Sequence, residues 1–349
     1  MTAWKVVQFA VWLVGVAIVG LLLFAPELGL HAFWNVLIPA APALVVLAPG
    51  VWRNVCPMAI TALFARKLPG AAERRRLSVA ANDRLVVLAV VLLLLIIPLR
   101  HVVLDLNGPA TAMMLLVATA CAVGLGLRFE WKSGWCSGLC PIHVVEKLYG
   151  SRPLVTPRNA HCQPCERCVD PCADSTPAMD VLTTRPDSRL RRLTGLLLLG
   201  LFPGFIAGWF LVPDYAGGEG WAHLGQAYGT PYLWGALSLA LFGMARATFG
   251  PRARPVLERG FAAAAVSCYY WFRLPALFGF GAIPGDGMLV DLTASLPVGW
   301  VVVSRVLTTG FFFWWMLRRR PEPPPWSRRP AYANPPVEME GFASNFPSL

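Results

Sequence analysis

Charge is what this chain has least of: 14% of its 349 residues are Asp, Glu, Lys or Arg, against roughly 25% in a soluble domain. Histidine is scarcer still, with five in the whole chain. There is no Walker A loop, no dinucleotide glycine fingerprint after a strand, no His-Glu-x-x-His and no nucleophile elbow. The glycine-rich stretch at 216–220 has no lysine nearby and reads as a turn rather than a phosphate cradle. These absences exclude an ordinary soluble enzyme and give no support to a protein-only active site with its own substrate pocket.

Apolar residues are abundant instead, at 56% with a mean hydropathy of +0.56. They come in runs of about twenty, the length a helix needs to cross a hydrocarbon core. Eight segments qualify, at roughly 4–24, 32–49, 85–99, 109–127, 193–212, 229–245, 260–283 and 297–317. The predicted fold is therefore an all-α integral membrane protein, with the third span the shortest. The net charge of +11 is a topology signal rather than a nucleic-acid signal, because Lys and Arg concentrate on one set of alternate loops. Of the 30 Lys and Arg, 27 fall on that side, so both termini are expected in the cytoplasm of a multi-pass inner-membrane protein. The opposite loops hold Glu27, Asp105, Asp214, Glu219, Asp286 and Asp291, with Arg100 their sole basic residue.

Four regions follow: a four-helix membrane half at 1–127, a cytoplasmic insert at 128–192, a second four-helix half at 193–317, and a Pro-rich tail at 318–349 expected to be disordered. The insert carries His161-Cys162-Gln-Pro-Cys165-Glu-Arg-Cys168-Val-Asp-Pro-Cys172, a C-x2-C-x2-C-x3-C run. Thiolates at this spacing wrap a short loop around one cuboidal cluster, each sulfur taking one iron. Structural zinc sites instead pair two C-x2-C knuckles across a dozen or more residues, and a disulfide framework does not suit a reducing cytoplasm. Cys162, Cys165, Cys168 and Cys172 are thus the predicted ligands of a [4Fe-4S] cluster.

Two further patterns sit just past the even-numbered spans: Trp135-Cys136-Ser-Gly-Leu-Cys140-Pro141, and a weaker echo, Trp52-Arg-Asn-Val-Cys56-Pro57. Their matching positions predict two related half-sites facing each other. Seven cysteines on one face fall one short of the eight ligands of two clusters. One cluster on the four-cysteine run is the simpler count. The alternative is a second centre that adds Cys172 to Cys56, Cys136 and Cys140, with His161 or His143 completing the first. Cys121 and Cys268, inside apolar spans, read as packing residues.

At these residues the chain resembles the polytopic membrane ferredoxins of the NosR and NapH type, over roughly residues 50–180. The resemblance implies a carrier that passes electrons between quinol or a cytoplasmic donor and periplasmic enzymes. The chain departs from the pattern in keeping only Cys56 of the first C-x3-C-P, in having one ferredoxin motif, and in placing Ala173 after Cys172; a one-cluster variant follows.

The remaining candidates lie near or inside the spans. His31 and His101, placed by topology near the outer face, are candidate haem or metal ligands. Arg273 and Arg305, inside spans seven and eight, are candidate contacts for an anion or a quinone head group, or partners of Asp286 and Asp291 in structural ion pairs. Lys147, Arg152, Arg158 and Arg167 surround the cysteine run and are expected to favour a reduced cluster and an acidic donor. The expected function is membrane-bound electron transfer with a redox partner protein on the cytoplasmic face, lipid around the spans, and a quinone or haem as second centre. The competing reading is a transporter or assembly factor whose cysteines hold a structural or sensory metal. No nucleic-acid partner is expected.

Overall fold

The computed structural model describes residues 2–65, 77–129, 134–155, 157, 160–161 and 188–318. Among these the regular structure is entirely helical, with no β-strand. Seven helical stretches are long and apolar enough to cross a membrane. We number the helices used below α1 (Ala3–Phe24), α2 (Pro26–Leu47), α3 (Pro49–Val55), α4 (Pro57–Ala65), α5 (Ala80–Leu104), α6 (Gly108–Arg128), α7 (Pro141–Tyr149), α8 (Arg189–Trp209), α9 (Leu224–Leu277) and α10 (Gly299–Leu317). Apolar side chains such as Phe9, Leu241 and Val306 stand exposed on their outer surfaces, as they do when the solvent is lipid tail rather than water.

Seven stretches replace the eight expected segments because spans six and seven are joined without a loop. Helix α9 is interrupted only at Gly250, whose φ of 69° and ψ of −177° are non-helical. A positive φ is left-handed backbone that glycine adopts without a steric penalty, and Pro251 follows it. The chain reverses there. The rings of Phe242 and Phe261 are 4.8 Å apart, although 19 residues of straight helix would separate them by about 28 Å. The two legs of α9 thus form a hairpin, and the positions read as a basic loop, 246–259, are helical on both sides of the break.

The third span is also longer than its apolar run. Helix α5 covers 25 residues because the polar residues at its two ends are satisfied inside the protein. At its start Asn82 Nδ2 donates to the Ser137 carbonyl at 2.9 Å, and Asp83 pairs with Arg191 of α8 at 2.6 Å. At its far end Arg100 and His101 find carboxylate partners. A buried polar group costs little once hydrogen-bonded, so the helix continues past the point where hydropathy falls.

The core has three main parts. Val86, Val90 and Leu94 of α5 pack with Val144 of α7 and with Leu198 and Phe205 of α8. Both legs of α9 meet α10 around Phe242, Val266 and Phe312, with Tyr149 of α7 in the same cluster. A third cluster joins α1, α2 and α6 through Leu22, Trp34 and Ala112. Residues 135–155, sequence assigned to the insert, are built into this bundle. The Tyr149 hydroxyl donates to the Leu198 carbonyl, and Trp315 Nε1 to the Arg152 carbonyl at 2.8 Å.

Helices α8 and α9 approach so closely at Gly204 that a Cβ there would collide with the Trp234 carbonyl oxygen. Small residues allow such backbone contact between membrane helices. Gly204→Ala is expected to lower the thermal midpoint in detergent, at a cost of about 1–3 kcal/mol for overpacking. Gly243→Ala, which meets nothing within 4 Å, should leave it unchanged. Equal midpoints for the two variants would contradict the close approach.

Candidate functional site

Two polar sites occupy opposite ends of the bundle. Asn82 and His101, one at each, are 19 residues apart on α5, about 28 Å along a helix axis. At the first end the two predicted half-sites adopt matching backbones. Cys56 separates α3 from α4, and Cys140 separates a π-helical turn, Trp135–Leu139, from α7. Each cysteine has extended ψ (116° and 115°) and precedes a proline that opens the next helix, where the missing N–H of proline is no loss.

The half-sites are tied together. Arg53 of α3 forms a buried ion pair with Glu146 of α7. Cys56 is near enough to act electrostatically on Cys140, and the backbone N–H groups of Ile142 and His143 point at the Cys140 sulfur. Burial, and then Cys56, push the Cys140 thiol up to about 12, so without a metal it stays protonated at neutral pH. A bound metal would deprotonate it outright, and the two N–H donors suit a thiolate ligand. Among the described residues, however, no three His, Cys, Asp or Glu side chains are grouped as a metal site requires.

The predicted ligands Cys162, Cys165, Cys168 and Cys172 lie outside the described residues, as do Arg158 and Arg167. The residues just before the run are described. His161 is buried and its Nε2 lies 3.0 Å from the Arg53 carbonyl, while the Ala160 N–H donates to Asn54 Oδ1 at 2.9 Å. The chain thus enters the cysteine run from an anchor on α3, three residues from Cys56.

At the other end a cavity of about 400 Å³ is lined by α2, α5, α8, α9 and the loops at 212–214 and 281–287. His31, Asn35, His101, Arg273 and Asp286 line it together. His31 and Asn35 sit in a π-helical turn of α2, His31–Leu37, and His101 in another at the end of α5, Arg100–Leu104. Such turns shift the phase of side chains around the helix and recur at functional sites. Both turns bring polar side chains into the cavity wall.

Two carboxylates of the wall, Asp105 and Asp214, have basic partners. Arg100 grips Asp105 with two hydrogen bonds, of 2.9 and 3.0 Å, and its guanidinium is sandwiched between the rings of Trp34 and Trp209. His101 Nδ1 lies 2.5 Å from Asp214 Oδ1, and its Nε2 is 3.0 Å from the Trp209 carbonyl. That carbonyl only accepts, so Nε2 carries a proton. Both ring nitrogens of His101 thus face hydrogen-bond partners. His31 Nδ1 faces the Asn35 amide at 3.3 Å. His223 stacks on Tyr215 outside the cavity wall.

Asp286 approaches from the loop, accepting the Asp214 N–H at 3.1 Å. Burial, followed by the neighbouring Asp214 charge, raises its carboxyl above the usual range. A raised folded-state value favours the protonated form. The associated stability is complete below the unfolded value and is lost as pH rises through the folded one. Asp286→Asn is therefore expected to raise the melting temperature at pH 7 to 8, with the gain disappearing near pH 4. An equal gain at both pH values would contradict this origin.

The two intramembrane arginines differ. Arg273 is 4% exposed, and its Nη2 donates to the Trp34 carbonyl at 2.6 Å and to Asn35 Oδ1 at 2.8 Å. It makes no ion pair among the described residues, so the expected pairing with Asp286 or Asp291 is not formed. Arg305 is half-buried, donates to the Trp271 carbonyl at 3.0 Å and lies over that indole ring. Asp291 is exposed and bonds Thr293, which holds its carboxyl below the usual range. Sequence reasoning singled out His31, His101 and Arg273 separately. It missed Asn35, Trp34 and Trp209, for which the available signal was a polar or indole side chain within an otherwise aliphatic run. No protein-family model, no curated protein and no solved structure matches the chain.

Proposed function

We propose that the chain is a membrane-bound electron carrier whose Cys162, Cys165, Cys168 and Cys172 hold one [4Fe-4S] cluster against the Cys56 and Cys140 half-sites. The observation that supports the reading is the contact of His161, the residue before Cys162 in the sequence, with the carbonyl of Arg53, which itself pairs with Glu146 of α7. A ligand loop tied at its first residue to a buried ion pair suits a cluster held close to the bundle. The cluster supplies one-electron chemistry when bound, at a potential set by burial, nearby N–H donors and charge. The chain contributes the buried basic residues Arg53 and Lys147 and the N–H groups at the start of α7. Electrons then pass to or from a quinone or a redox partner protein, because a single centre at one end cannot serve an acceptor about 28 Å away along the bundle.

The direct test is the visible spectrum of protein purified without oxygen. The reading predicts a brown protein whose broad absorption bleaches with dithionite. A colourless protein containing zinc would support a structural or sensory metal site instead.

A further inference from the structure

We propose that the cavity at the carboxylate-rich end is a binding site for an amphipathic anion, a carboxylate or phosphate on an apolar body, held by Arg273. Such a site is separate from electron transfer and does not depend on it. A charged side chain at membrane depth is costly unless something partners it. Asp105 is matched by Arg100, and Asp214 faces His101. Asp286, with its carboxyl raised, accepts the Asp214 N–H, while Glu27 is exposed. Arg273 has no carboxylate at ion-pair distance among the described residues; the Tyr269 hydroxyl is beside it, and Asp105, Asp214 and the like-charged Arg100 act on it from further away.

Its geometry fits a ligand. Arg273 Nε is buried and has no hydrogen-bond partner. Nη2 spends both of its protons on the Trp34 carbonyl and Asn35 Oδ1, which holds the guanidinium in place and leaves the donors on Nε and Nη1, and a fixed guanidinium suits carboxylate and phosphate oxygens. The loop is shaped to admit it: Gly287 has a φ of 68°, and a Cβ there would collide with Nη1. Apolar wall completes the site, with Leu30, Phe210, Phe272 and Ile283 lining the same cavity. A polar end and an apolar body are thus demanded of one occupant, and about 400 Å³ is in the range of small-molecule sites.

The test is calorimetric titration of the full chain in phosphatidylcholine nanodiscs with benzoate, and with benzamide as its neutral counterpart. Benzoate should bind at least about tenfold more tightly, the factor expected when a charge-assisted bond is present in one and absent in the other. Repeating the titration in phosphatidylglycerol nanodiscs separates the sources. Loss of benzoate binding there identifies an anionic lipid headgroup as occupant, and unchanged binding identifies a soluble anion. Arg273→Gln should remove the preference, while Arg305→Gln should retain it. Because Arg273→Gln also loses two structural hydrogen bonds, the benzoate and benzamide comparison on the unaltered protein stands alone. Equal affinity for the two, or preference for benzamide, overturns the proposal.

Discussion

Arg191→Met is expected to destabilise the protein by about 3–5 kcal/mol, the cost of stranding a buried charge. Arg191 and Asp83 are 3% and 5% exposed, and Arg191 Nε meets Asp83 Oδ1 at 2.6 Å. Ser188 Oγ adds a hydrogen bond to the other carboxylate oxygen at 2.8 Å, and Asn82 of the same helix reaches the Ser137 carbonyl. The start of α5, the start of α8 and the turn before Cys140 are therefore fixed to one another by a single polar network. Removing the arginine leaves a carboxylate that neither water nor lipid can solvate. The double variant Arg191→Met with Asp83→Leu should recover most of the loss, since replacing a whole buried pair by apolar groups is close to neutral. Thermal midpoints of the three variants in detergent form the double-mutant cycle that measures the coupling. A single variant within about 0.5 kcal/mol of the parent, the range of inert surface changes, would show that this network does not hold the cysteine end together.

The second large effect concerns the cluster. Cys165→Ser is expected to remove nearly all of the bound iron, because serine oxygen is a poor replacement for a soft thiolate ligand. Cys121→Ser and Cys268→Ser should retain it, as both positions lie within membrane-spanning helices. Cys56→Ser and Cys140→Ser separate one centre from two. Iron content unchanged in these variants supports a single cluster on the four-cysteine run, whereas loss of half the iron assigns them to a second. Full iron content in Cys165→Ser would contradict the assigned ligand set.

Much of the architecture was legible in the sequence because membrane helices announce themselves by length and hydropathy. The runs around α1, α6 and α10 needed no tertiary information. The errors fall where polar residues are satisfied by distant partners. Asn82 and Asp83 looked like loop residues, yet Ser137 and Arg191 let α5 extend through them. The four arginines at 246–259 looked like a loop, whereas Gly250 alone turns the chain.

The candidate sites were legible to different depths. The equivalence of Cys56-Pro57 and Cys140-Pro141 could be read from their local pattern and reappears in matching backbone angles. The cavity could not be assembled in advance. His31, His101, Asp214 and Arg273 come from four separate parts of the chain, and nothing in their spacing shows that they share one wall. The contact of His101 with Asp214 depends on a loop 113 residues away, which no local pattern shows.

The measurement closest to the central claim is iron, acid-labile sulfide and zinc analysis of the anaerobically purified protein, beside the EPR spectrum of its dithionite-reduced form. The account predicts about four irons and four sulfides per chain with the paramagnetic signal of a reduced cluster. Stoichiometric zinc without iron or sulfide, and no signal on reduction, would contradict it.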